Sequence, residues 1–297
     1  MEWPTDWGLR VRMLVTMVLL VAVYLAVGAI STTVIVSYTN GAGIVVYGLL
    51  ALGFAGVHYW YATRLLPRGL GATAVGPDEH PDLYATVERL ARQADLPAPT
   101  IAVVDAAVPN AFVTGYSRRS ATITVTSGLL ETLEGEQREA VIAHELAHVK
   151  NRDAIAMTLA SFLPTIALMI LVASGLALGG RDGGHDVPSG VVVLAPVSIV
   201  AWLVGSVFVR LFARHREVAA DSGAVAITGD PSALAAALRS LSDELERVPD
   251  EDLRGVAELN AFFVVPVKSG FVGRFVSTHP SVDRRIERLQ RLERQLE

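Results

Sequence analysis

From residue 13 to residue 63 the chain carries no Asp, Glu, Lys or Arg. A helix crossing a bilayer needs about 20 apolar residues, so this run holds two crossings and a turn. Tyr38-Thr39-Asn40-Gly41 has turn chemistry, which predicts helices near 13–36 and 43–62. A cleaved secretory signal has an apolar region of only about 7–15 residues. The first helix is longer and is expected to stay as an anchor. Two later runs, 154–180 and 187–209, are also uncharged; Pro164 lies in the first, Pro188 and Pro196 in the second. The polar loop Arg181-Asp182-Gly183-Gly184-His185-Asp186 separates them, so they read as a second membrane hairpin, a buried core pair being the rival reading.

Lys and Arg near the ends of membrane helices set orientation. Arg10, Arg12, Arg64, Arg68, Lys150, Arg152, Arg210, Arg214 and Arg216 fall on one side, and only Arg181 on the other. Both termini and the polar segments are therefore expected in the cytoplasm, in a multi-pass protein of the cell membrane. The composition agrees: 52% hydrophobic, 19% charged, mean hydropathy +0.43. A net charge of −5 lacks the basic footprint of a nucleic-acid binder. There is no Cys, so a metal site must use His, Asp and Glu.

The rest reads as water-soluble and mixed. Leu83, Val87, Leu90 and Ala94 form one stripe of a helix over 80–96, ended by Pro97 and Pro99. The β-branched runs 100–105 and 121–126 read as strands, the second closed by Ser127-Gly128. Helices are expected over 136–153, 232–245 and 282–296, the last with a docking stripe of Ile286, Leu289, Leu292 and Leu296. The expected organisation is a membrane hairpin in 1–66, a first soluble part in 67–153, a second hairpin in 154–209 and a second soluble part in 210–297. The fold class is mainly α with a small β-sheet, in an integral membrane protein with about four transmembrane helices.

His144-Glu145-Leu146-Ala147-His148 lies in 136–153, a stretch without Gly or Pro. On a helix the two His are one turn apart and share a face, so both imidazoles can reach one zinc ion at about 2.0–2.1 Å. Glu145 is about 100° round and suits a general base acting on water, the pattern of zinc peptidases. The apolar flanks Val141, Ile142, Ala143, Leu146, Ala147 and Val149 predict a buried helix, where two His and a Glu are costly unless paired or bound to metal. A catalytic zinc needs a third protein ligand. In Arg214-His215-Arg216-Glu217-Val218-Ala219-Ala220-Asp221, Glu217 and Asp221 are one turn apart. Glu217 can ligate while Asp221 accepts the far N–H of a ligand His; alternatively, Glu217 pairs with Arg214 or Arg216 on a wet face. His215, between two Arg, reads as surface, and His58 as interfacial packing.

These pieces resemble the gluzincin metallopeptidases that include HtpX and the CAAX prenyl endopeptidases, and HtpX most. The matching residues are the first hairpin, Pro109-Asn110-Ala111-Phe112, 122–130, His144 to His148, the second hairpin, Arg216-Glu217, Ala220-Asp221, Ser277-Thr278-His279-Pro280 and Arg285-Ile286. Ser281 stands where the family motif has a second Pro, and Arg284 adjoins Arg285. The resemblance implies a cytoplasmic zincin-like domain and an ATP-independent, zinc-dependent endopeptidase, with one zinc per subunit. Its substrates would be polypeptides, misfolded or damaged membrane proteins, with the lipid bilayer as its other partner. It implies that His144, His148 and Glu217 bind zinc and that Glu145 is the catalytic base. It also implies that Asn110 holds substrate backbone, and that His279 and Arg285 stabilise the oxyanion or orient Asp221 and substrate. A CAAX-type prenyl-protein endopeptidase is the alternative within the family. A zinc-binding membrane chaperone or scaffold that does not cut is the alternative outside it; a structural zinc site has no use for Glu145.

Two geometric expectations complete the reading. Substrate is expected to pair as an added strand on a sheet edge formed by 121–126. With no Gly or Pro between His148 and Pro164, the helix is expected to run on into the third apolar segment. His148 would then lie about 9 Å from residue 154 along the axis, and Glu217 about 10 Å beyond Arg210. This geometry sets the zinc just above the cytoplasmic face of the membrane.

Overall fold

The computed structural model describes residues 7–39, 71–115, 117–179, 189–247 and 281–296, with scattered positions between 45 and 60. The second expected helix, 43–62, lies largely outside the described residues, as does His279. The chain forms two compact units, one gathering 1–9, 62–155 and 213–297, the other 10–61 and 156–212.

The first unit is a four-stranded sheet with helices packed on it. Its elements in chain order are β1 (Thr73–Ala74), α2 (Pro81–Gln93), β2 (Thr100–Val104), β3 (Ala111–Thr114), β4 (Thr122–Thr126), α3 (Ser127–Thr132) and α4 (Gly135–Asn151). The C-terminal part of α6 (Ser189–Thr228), then α7 (Pro231–Leu245) and α8 (Val282–Leu296), complete it. Pro81 opens α2, where its missing N–H costs nothing. Asp95 turns left-handed at φ 55° and ends the helix before the prolines expected to do so. Thr126 caps α3 with its hydroxyl, which accepts from the Leu129 N–H at 3.2 Å.

The sheet order is β1-β2-β4-β3. β2 and β4 run parallel, Thr100 opposite Thr122 through Val104 opposite Thr126. On its other side β4 pairs antiparallel with β3, Ala111 opposite Val125 and Thr114 opposite Thr122. The strand 121–126 is thus interior, and the edge expected there is closed on both sides. The edges are the two-residue β1 and the short β3. Both faces of the strand are covered, for Thr124 and Thr126 are buried along with Ile123 and Val125. The connection from β4 into α3 has no room for a side chain at Gly128, whose Cβ would stand 2.1 Å from the Ala107 carbonyl oxygen.

The core gathers Leu83, Val87 and Leu90 of α2, Ile123 and Val125 of β4, Ile142 and Leu146 of α4, and Leu234, Leu238 and Leu241 of α7, with Leu289 of α8. Helix α4 is buried along Ala140 to Ala147 and on Val149, as its apolar composition predicts. It packs on α2, α7 and β3.

The second unit is built from α1 (Trp7–Thr39), α5 (Asp153–Gly179) from Ala156 onward, and α6 up to Phe212. Three described helices are long and apolar enough to cross a membrane: Trp7–Thr33, Asp153–Leu171 and Leu194–Thr228. They expose Leu14, Val18, Leu25, Val200 and Leu203, a hydrophobic exterior suited to lipid. Pro164 interrupts α5 and can donate nothing to the Ala160 carbonyl one turn back. The Tyr24 hydroxyl of α1 donates there instead, at 3.0 Å, and to the Leu159 carbonyl at 2.6 Å. Gly205 of α6 lies against the proline ring, so that a Cβ there would be 3.1 Å from Pro164 Cδ.

Candidate metal centre and active site

Helix α4 presents His144 and His148 one turn apart, their Nε2 atoms 3.2 Å from each other. Helix α6 brings Glu217 against both: Oε2 lies 3.5 Å from His144 Nε2, and Oε1 3.7 Å from His148 Nε2. Ligands of a tetrahedral zinc at 2.0–2.2 Å stand about 3.4 Å apart, close to the spacing of the two Nε2 atoms, and a different Glu217 oxygen lies near that distance from each ring. Glu145 turns its carboxylate into the same space; one of its oxygens and one nitrogen of each His lie within 4.8 Å of one another. His144, Glu145 and Glu217 are all buried.

The far side of each imidazole is held by a carboxylate. His144 Nδ1 is 3.1 Å from Asp221 Oδ1, and His148 Nδ1 is 2.6 Å from Asp153 Oδ2. A carboxylate only accepts, so each Nδ1 is the nitrogen placed to donate outward and each Nε2 faces inward. The two Nε2 atoms and the Glu217 carboxylate then converge on one small space, an arrangement able to hold a metal ion. Each carboxylate in turn meets an arginine. Arg285 Nε donates to Asp221 Oδ2 at 3.0 Å and Nη2 to Oδ1 at 2.6 Å. Arg216 Nε lies 3.3 Å from Asp153 Oδ2, and its Nη2 is 3.5 Å from His148 Nδ1. Arg285 is fully buried against Asp221, whereas Arg284 faces solvent.

The proton-holding of these groups follows from that crowding. Burial lowers the pKa of His144, but the Asp221 and Glu217 carboxylates outweigh it and raise the group to about 9. Burial pushes Glu145 up to about 8, against the pull of His144, Arg216 and Arg285. His148 moves below its ordinary value, because burial outweighs the hydrogen bond to Asp153.

Six of the expected site residues thus come together: His144, Glu145, His148, Glu217, Asp221 and Arg285. Asn110 is buried at the entry to β3; its N–H donates to Thr126 Oγ1 at 2.8 Å and its carbonyl accepts the Thr126 N–H at 3.0 Å. His215 is half-buried rather than a surface residue. Two participants were not foreseen, Asp153 and Arg216. The continuity expected for α4 is also broken: Arg152 takes φ 58° and ψ 38°, and α5 starts afresh at Asp153. Neither Gly nor Pro marks the break, so the sequence carries no signal of it. Glu217 does lie on the unbroken helix α6 with Arg210.

Comparison with known proteins gives a consistent result. The profile of Peptidase family M48 matches residues 77–293. The chain is 43% identical to a Protease HtpX homolog of Moorella thermoacetica, over 99% of this chain and 97% of that one. It is also 43% identical to Protease HtpX homolog 2 of Methanosarcina acetivorans, over 99% of both. In fold it resembles the crystal structure of S. mikatae Ste24p, with a TM-score of 0.56 at 16% identity, over 95% of this chain and 66% of that one.

Proposed function

The chain belongs to peptidase family M48, and on that premise we propose an integral-membrane, zinc-dependent endopeptidase that cuts misfolded or damaged membrane proteins without ATP. That it is a membrane metalloprotease follows from the family and from its HtpX relatives. The observation that carries the finer reading is the convergence of His144 Nε2, His148 Nε2 and Glu217 at 3.2–3.7 Å beside the Glu145 carboxylate. All-nitrogen-and-oxygen donors in a tetrahedral set favour zinc.

His144, His148 and Glu217 hold the ion. When bound, zinc polarises the scissile carbonyl and lowers the pKa of water from 15.7 toward about 7. Glu145 takes the proton of the attacking water and delivers it to the leaving amine. Asp221 and Asp153 keep the imidazoles in the tautomer that faces inward. His279 supplies the oxyanion donor, on the strength of its family motif. Substrate lies extended along β3, the edge strand that packs on α4 and that Asn110 leads into. Four membrane helices in the cell membrane, with a cytoplasmic protease domain, fit the nine-to-one distribution of basic residues. Cleavage close to the membrane face follows from the seven-residue spacing of Arg210 and Glu217 on α6.

The test is cleavage of casein by the protein purified in detergent. Activity abolished by a chelator and restored by Zn²⁺ is expected. Cleavage indifferent to the chelator, or no cleavage at full zinc occupancy, overturns the reading.

A further inference from the structure

On an unbroken helix, Asp153 would lie about 7.5 Å further along than His148 and about 140° round from it. Its carboxylate would point away from the ring. It is instead 2.6 Å from His148 Nδ1. The cause is one residue. Arg152, left-handed at φ 58° and ψ 38°, ends α4 and redirects the chain, so that the first side chain of α5 swings back over the last turn of α4. A left-handed non-glycine residue is strained and persists only where its surroundings over-determine it. They do here. Lys150 Nζ donates to the Ala94 carbonyl at 2.6 Å, and Arg118 Nη2 donates to the Lys150 carbonyl at 3.0 Å, pinning the end of α4 from two sides. The Arg152 N–H still closes α4 on the Val149 carbonyl at 3.1 Å.

We propose that Asp153 is the positioning residue of His148, placed by the left-handed Arg152 and steadied by Arg216, so that the helix break is a working part of the metal site. The inference rests on the zinc-peptidase reading and deepens it. Asp153 touches neither ion nor substrate. It fixes the tautomer and tilt of His148, while Arg216, 3.3 Å from the same carboxylate oxygen, keeps that carboxylate aimed. His148 thereby has its own carboxylate and guanidinium, from α5 and α6, where His144 has those of α6 and α8.

The experiment uses the full chain in detergent. It measures Zn²⁺ affinity by chelator competition and the visible spectrum of the Co²⁺-substituted protein. Asp153→Ala is expected to weaken zinc binding 10–100-fold and to shift the cobalt bands. Asp153→Asn, which keeps an acceptor oxygen, should recover part of that loss. Arg152→Val alters no side chain at the site but resists the left-handed conformation, so it should weaken binding in the same direction, and Arg152→Gly should bind more tightly than Arg152→Val. If Asp153→Ala loses its helical circular dichroism, Asp153→Asn and the two Arg152 variants decide. Zinc affinity within twofold of wild type and unchanged cobalt bands in Asp153→Ala, or in both Asp153→Asn and Arg152→Val where these stand in, overturn the role of Asp153. Equal affinities for Arg152→Val and Arg152→Gly overturn the role of the break. Wild-type protein that binds neither metal overturns the zinc reading itself, and this inference with it.

Discussion

The two imidazoles of the site are supported by two arms of the same chemistry and different construction. One arm runs His144, Asp221, Arg285, with side-chain exposures of 1%, 2% and 1%. Its aspartate sits one helical turn from Glu217, and its arginine grips that aspartate with two nitrogens. The other runs His148, Asp153, Arg216, with exposures of 11%, 4% and 16%, and its arginine meets the aspartate through one nitrogen, at 3.3 Å. The first is buried throughout, and its arginine–aspartate pair is bidentate. The second is more exposed and depends on a backbone conformation. Burial therefore makes the first arm the costlier one to break, while the second is the one that a change in backbone alone can loosen.

The largest effect belongs to the carboxylate that lies beside both imidazoles. Glu145→Gln should keep metal and fold and lose peptidase activity by at least 10²–10⁴-fold, since the amide cannot take a proton; near wild-type turnover in a clean preparation would refute its role. Next, Arg285→Met strands the buried Asp221 charge and should cost about 3–5 kcal/mol of stability. Arg216→Met, at the half-open arm, should cost clearly less; equal losses in urea unfolding would erase the contrast between the arms. Third, Glu217→Ala should lower zinc occupancy after dialysis, and Asp221→Ala should do so more mildly, by about 10–100-fold in affinity. Full zinc in Glu217→Ala would move the third ligand elsewhere.

A pH effect comes fourth. In chelated protein His144 and Glu145 hold protons more tightly folded than unfolded, at about 9 and about 8 against ordinary values near 6.5 and 4.3. A raised folded pKa contributes stability at low pH that is lost as pH climbs through the folded value. Thermal stability of the metal-free protein should thus fall from about pH 6 to pH 9. Zinc affinity should rise over the same range as the ligands give up protons. A flat melting profile would refute the crowding at the His144 arm. The smallest effect is Arg152→Gly, which relieves left-handed strain and should raise stability by about 1 kcal/mol; a loss instead would mean that the Arg152 side chain itself holds the turn.

Much of this was legible in the chain. The His144 and His148 spacing, and Glu217 with Asp221, follow from helical periodicity, because each pair lies on one uninterrupted helix. The stripe of α2 and the strands β2 and β4 were legible for the same reason, a local repeat. What escaped is what no local repeat encodes. Asp153 is five residues from His148, a spacing that means nothing until a left-handed residue intervenes. β3 is four residues long and nearly all buried, with no alternation to betray it. The place of β4 inside the sheet depends on β3 crossing to its far side, a long-range pairing invisible in Thr122–Thr126 itself. Arg285 came into view only through a family motif, since nothing around it predicts a fully buried guanidinium.

The hydroxyl of Tyr24 on the Ala160 carbonyl bears on how the protein is made. Inside a bilayer no water can satisfy a carbonyl deprived of its helical donor, so α5 enters lipid with a debt at Pro164 that its own sequence cannot settle. Synthesis runs from the N-terminus, and α1 is already in the membrane when α5 arrives. The first apolar segment is thus a template for a later one, not just a tether, and exchanging it for another hydrophobic segment of equal length would leave the later helix inserted but unfinished.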